Sequence, residues 1–145
     1  MNNQTSHDPF SIIRCILIEL ATVVDNYYDD DMSEAIEPTV KLITAGSERL
    51  TRGGLLVPDC VRHTLERFPA NNDLKQSSLN DQALIIGLVT ELSTEIDLHF
   101  EDEIANEVQG SIALIAETLS YLHDEGLPAP DSATHVLRRF GGTRH

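Results

Sequence analysis

Shifting this sequence by 72 positions lays residues 8–68 over residues 80–140 without a gap, and 17 of the 61 aligned pairs are identical. Unrelated chains of ordinary composition match at roughly one position in sixteen, or about four pairs over this length. The identities include Ile13/Ile85, Glu19/Glu91, Leu20/Leu92, Thr22/Thr94, Asp25/Asp97, Leu42/Leu114 and Ile43/Ile115. They are densest in the string Pro-Asp-x-x-x-His-x-Leu-x-Arg-Phe, which occupies 58–68 and returns at 130–140. A repeat of this length implies one supersecondary unit used twice, so fold and site arguments must hold for both copies.

Each copy reads as a long helix, a second long helix and a short third one. In the first, Ile13, Ile16, Leu17, Leu20, Val24 and Tyr27 step by three and four and so share a face. Ile85, Leu88, Val89, Leu92 and Ile96 answer them in the second copy. The second helices carry Ile36, Val40, Ile43 and Leu50 against Val108, Ile112, Ile115 and Leu122. Pro9 and Pro38 suit a first turn, and Gly54 and Gly126 suit the left-handed residue that ends a helix. Asp59 and Asp131 read as N-caps of the third helices. Helices are predicted near 9–28, 33–52, 59–68, 80–99, 102–124 and 131–140, with no strand. The expected architecture is all-α: a tandem duplication of a three-helix unit forming a pseudo-twofold four-helix bundle with two short extra helices. Residues 1–145 would make one domain, the copies joined by a linker at 69–79. The self-complementary apolar faces could also support a homodimer.

Charge narrows the partners. The formal net charge is −14. Residues 80–140 carry 12 acids against 2 bases, residues 8–68 carry 11 against 6, and no Lys or Arg lies between Lys75 and Arg138. Such a surface repels phosphate backbones, which argues against nucleic-acid binding and favours a basic protein surface. The longest apolar run, Ile12 to Val24, is broken by Arg14 and Glu19, so no membrane span is expected. The N-terminus lacks a basic start followed by an apolar run, and Cys15 and Cys60 align with Gly87 and Ser132 rather than with cysteines. A cytoplasmic protein is the expectation.

The most specific polar feature is a stripe on each third helix. Asp59, His63 and Arg67 lie four apart, as do Asp131, His135 and Arg139, so each trio lines one side of its helix. Capping by Asp and placement of His and Arg at the negative helix end account for all three residue types. A functional stripe would instead be a pair of related binding sites, each His sensing pH or holding an anion beside Arg, exposed and close to its own Asp. A second feature is the acidic junction of the first two helices, Asp29-Asp30-Asp31 and Glu101-Asp102-Glu103, which with Glu107 forms a candidate acidic partner surface. Glu95 and His99, four apart, read as a surface contact, because the first copy has Val23 and Tyr27 there.

No Gly-rich phosphate loop, Ser/His/Asp arrangement or zinc-spaced Cys/His cluster is present, so no catalytic residue, metal ligand or cofactor is assigned. Glu91, Glu95, Glu103 and Glu107 resemble the clustered acids of the all-α nucleotide pyrophosphohydrolases, with spacings that depart from that family's pattern. That resemblance implies a metal-dependent hydrolase of phosphorylated small molecules as the alternative function. The first expectation is a non-catalytic acidic helical protein that binds a basic partner, of the inhibitor, immunity, adaptor or regulator type.

Overall fold

The apolar stripes spaced by three and four become helices in the computed structural model, which describes residues 9–28, 36–68, 80–100 and 108–141. The elements are α1 (Pro9–Tyr27), α2 (Glu37–Arg52), α3 (Asp59–Arg67), α4 (Asp81–His99), α5 (Gln109–Asp124) and α6 (Asp131–Val136), whose last turn widens into a π-turn over Leu137–Gly141. Among the described residues there is no strand. None of the described helices is long and apolar enough to cross a membrane. The expected helical segments at 33–35 and 102–107 lie outside the described residues, as does the linker at 69–79.

The long helices α1 and α4 pack against each other more extensively than any other pair. Ile13, Ile16, Leu17, Leu20 and Val24 of α1 and Ile85, Leu88, Val89, Leu92 and Ile96 of α4 are all fully buried in one apolar cluster. Helix α2 leans on α1 and crosses to α4, while α5 leans on α4 and crosses to α1. The short α3 lies on α1 and α2, and α6 with its π-turn lies on α4 and α5. Phe68 and Phe140 anchor these short helices in the core. Tyr27, expected on the apolar stripe of the first helix, is instead 40 % exposed at the helix end.

The ends of α2 and α5 follow one recipe. Gly54 and Gly126 sit at φ +83° and +78°. Each donates to the carbonyl three residues back, Thr51 and His123, both at 3.0 Å. The next residues, Leu55 and Leu127, donate to Leu50 and Leu122, both at 2.9 Å. These are Schellman closures, which use up carbonyls that a helix end leaves unsatisfied, and the left-handed position favours glycine.

The starts of α3 and α6 correct one expectation. Pro58 and Pro130, not Asp59 and Asp131, hold the N-cap positions, with extended backbones at φ −60°, ψ 149° and φ −63°, ψ 144°. Proline is locked at the φ an N-cap can use, so the helix begins one residue later. Asp59 and Asp131 become first-turn acids; Asp59 pairs with Arg62 rather than closing a cap. A side-chain cap does form at α4, where Asn80 Oδ1 accepts from the Ala83 amide at 2.7 Å.

Candidate functional site

The two Asp/His/Arg stripes are brought onto the C-terminal ends of α1 and α4. Three donations from each guanidinium reach the same atoms in both copies. Arg67 Nη1 donates to the Asp25 carbonyl at 3.1 Å and to Asp25 Oδ1 at 2.5 Å, and Nη2 donates to the Tyr28 carbonyl at 2.9 Å. Arg139 Nη1 donates to the Asp97 carbonyl at 3.0 Å and to Asp97 Oδ1 at 2.8 Å, and Nη2 to the Phe100 carbonyl at 3.0 Å. Each guanidinium also lies over the ring that follows it, 4.7 Å from the centroid of Phe68 and 4.5 Å from that of Phe140. A planar cation thus satisfies two late carbonyls at the negative end of a helix and ties the third helix to the first.

The histidines join the same carboxylates. His63 Nε2 is 3.4 Å from Asp25 Oδ1, and His135 Nε2 is 3.1 Å from Asp97 Oδ1. Their side chains stay 60 % and 56 % exposed. The carboxylate that each His meets is therefore Asp25 or Asp97 on the first helix of its copy. Asp59 turns to Arg62, and Asp131 is exposed in the first turn of α6. Asp25/Asp97 was among the repeat identities but was not assigned to the stripe. Residue spacing on one helix shows which side chains share a face, and says nothing of what a second helix sets opposite it.

A second constellation lies where α1 and α4 meet the opposite copy. Ser111 on α5 donates to Glu19 Oε1 on α1 at 2.6 Å, and Thr39 on α2 donates to Glu91 Oε1 on α4 at 2.7 Å. The two bonds are repeat counterparts of each other, since 39 aligns with 111 and 19 with 91. Beyond them Tyr27 stacks on His99, its own repeat counterpart, with centroids 4.5 Å apart and planes at 16°. Tyr27 also meets Phe100 edge-on at 5.5 Å, and His99 meets Tyr28 edge-on at 5.3 Å.

Here the copies part. The Tyr28 hydroxyl donates to Glu95 Oε1 at 2.8 Å, and His99 Nε2 lies 3.1 Å from both that hydroxyl and that oxygen. Glu95 is only 5 % exposed, so the reading of Glu95 and His99 as a surface contact is corrected. A helix-only view could not see Tyr28, which arrives from the end of α1 and supplies the donor that a buried carboxylate requires. Burial, then the hydrogen bond to Glu95, then the charges of Glu95 and Glu91 push the Tyr28 phenol well above its ordinary range. In the counterpart positions Phe100 has no hydroxyl, Val23 replaces Glu95 and Tyr27 replaces His99.

Of the acidic candidates, Glu101, Asp102, Glu103 and Glu107 lie outside the described residues, as do Asp29, Asp30 and Asp31. Among the described residues no group of three or more His, Cys, Asp or Glu is gathered to hold a metal ion. Comparison with protein-family models, with curated proteins and with solved structures finds no match.

Proposed function

We propose that this chain is an acidic interaction module of the cytoplasm. In this reading it is a tandem duplication of a three-helix unit, folded as a pseudo-twofold four-helix bundle with two short flanking helices. It binds a basic surface on another protein, as an inhibitor, immunity, adaptor or regulator protein does. The duplication is supported by contacts that come in pairs 72 residues apart: the two Arg clamps, the two Glu–hydroxyl bonds and the two edge-on aromatic pairs.

The observation that carries the binding reading is where the bases are. Lys41 faces Glu37, Arg49 faces Asp81, Arg62 faces Asp59, Arg67 faces Asp25 and Arg139 faces Asp97. Half of the 10 Lys and Arg are engaged by the chain's own carboxylates, in a chain whose net charge is −14. Glu117, Asp124, Glu125 and Asp131 are all exposed on a stretch that contains no base of its own. A one-sign surface accelerates encounter with the opposite sign and makes it salt-sensitive.

The test is capture from a native cytoplasmic lysate on immobilised protein at low and at high salt. A basic protein retained at low salt and released at high salt is the expected result. Retention of nothing at either salt would overturn the reading. No specific observation favours the hydrolase alternative: Glu91 and Glu95 already accept from Thr39, Tyr28 and His99, and Glu103 and Glu107 lie outside the described residues.

A further inference from the structure

The seam between α1 and α5 carries a groove, and at the matching seam between α4 and α2 a leucine lies on a glycine. On the α4–α2 side Leu42 of α2 lies directly on the backbone of Gly87: a Cβ built there would stand 3.1 Å from Leu42 Cδ2. One repeat away, Cys15 stands where the other copy has Gly87, and Leu114 where it has Leu42. Ala113 and Glu117 replace Lys41 and Ala45, and Gly110 replaces Pro38. What remains is a groove of about 290 Å³ lined by Cys15, Glu19, Gly110, Ala113, Leu114 and Glu117. A second cleft of about 230 Å³ shares Glu19 and runs on to Asn26, Tyr27 and Phe100.

The groove and the cleft together are lined by apolar Ile18, Ala113 and Leu114, by the carboxylates of Glu19 and Glu117, and by the Tyr27 and Phe100 rings. A groove lined by Ile18, Gly110, Ala113 and Leu114 admits an approaching helix, and its apolar anchors at i, i+3 and i+4 would lie along it. Cationic side chains from the same helix would meet Glu19 and Glu117, or lie on the Tyr27 and Phe100 rings. A second copy of this chain is a poor occupant, because both surfaces are strongly acidic.

We propose that the α1–α5 trough is the docking site for a basic amphipathic helix of the partner protein. The proposal rests on the basic-partner reading above and adds the place and the shape. Two features make it testable. Gly110 lines the groove and a Cβ there would meet nothing within 4 Å, so Gly110→Leu adds bulk at the groove from an uncrowded position. Cys15 lines the trough, while Cys60 is exposed elsewhere on α3, so one thiol reports and the other serves as control.

The probe is a synthetic Leu/Lys peptide of about five helical turns with its leucines on one face, and binding is read by fluorescence anisotropy. Wild-type protein should bind it in a salt-sensitive way, and bound peptide should slow alkylation of Cys15 at least tenfold while leaving Cys60 unchanged. Gly110→Leu, which should retain full helicity by circular dichroism, should weaken binding at least tenfold. Glu117→Gln should weaken it severalfold. Salt-sensitive binding that leaves Cys15 alkylation unchanged, or that Gly110→Leu leaves unchanged, overturns the trough and spares the basic-partner reading. Failure of the wild-type protein to bind the peptide at any salt overturns both.

Discussion

The two copies of the repeat agree where a copy touches itself, and where they touch each other the Glu–hydroxyl bonds agree while the crossing at Glu95 does not. Within a copy, the guanidinium of Arg67 or Arg139 makes the same three hydrogen bonds to the end of the long helix, and the same glycine closes the second one. Across copies, one crossing holds Tyr28, Glu95 and His99 in a hydrogen-bonded trio, and the other sets Phe100, Val23 and Tyr27 at the same places. The difference is physical. Contacts inside a unit must be satisfied twice by one pattern. Crossing contacts pair different residues of the two copies, so a hydroxyl and its carboxylate can be held by one crossing and dropped together from the other without leaving an unpaired buried group.

The largest expected effect tests the part that is shared by both copies. Leu20 and Leu92 are identical, fully buried and set on facing helices. Leu20→Ala and Leu92→Ala should each cost about 2–5 kcal/mol and should differ little from each other. Urea midpoints measure this directly, and a gap between the two variants as large as either effect would break the equivalence. The clamps come next. Arg67→Ala and Arg139→Ala should each cost about 2–3 kcal/mol, since charge-assisted bonds and the ring contact are lost together.

The part that differs is tested by converting one crossing into the other. Glu95→Val alone removes the carboxylate to which the half-buried Tyr28 hydroxyl donates and should cost about 1–3 kcal/mol. Adding Tyr28→Phe and His99→Tyr completes the residue set of the other crossing, and the triple variant should recover most of the loss. The same trio predicts a pH dependence. The Tyr28 phenol is raised above its ordinary value near 10.0, first by burial and then by Glu95 and Glu91. The fold therefore favours the protonated phenol, so this contribution is whole below pH 10 and declines as the pH rises further. Tyr121, raised chiefly by burial, declines in the same sense and remains in every variant. Tyr28→Phe should flatten, but not abolish, the fall in stability on the alkaline side.

These contrasts also show what was legible before any coordinates. Helix class, the apolar faces and the glycine stops followed from periodicity and from positions that demand a positive φ, both of which are local. The partners of the stripes did not. Asp25 and Asp97 lie 38 residues before His63 and His135, as 25 to 63 and 97 to 135, and only the packing of a short helix on a long one brings them together. Thr39 and Ser111 were visible as a pair of hydroxyls but had no stated reason to face Glu91 and Glu19. A crossing between copies reverses the order of partners, and a one-dimensional overlay shows only like against like.

The smallest effect separates a cap from its imitation. Asn80 and Asp59 both have side chains suited to an N-cap, yet only Asn80 accepts a backbone amide at its helix start. Asn80→Ala should cost about 1 kcal/mol, the ordinary value for losing a side-chain cap. Asp59 follows a proline that already holds the extended N-cap conformation, and its carboxylate points to exposed Arg62. Only first-turn charge and a solvated ion pair are lost in Asp59→Ala, and both weaken as salt is added. The loss should therefore be less than half that of Asn80→Ala and should shrink in high salt, while the Asn80→Ala loss persists. Asp131→Ala, behind Pro130, should follow Asp59→Ala. Thermal unfolding of the three variants at low and at high salt checks the order. A salt-independent Asp59→Ala loss as large as that of Asn80→Ala would show that Asp59 caps α3 after all.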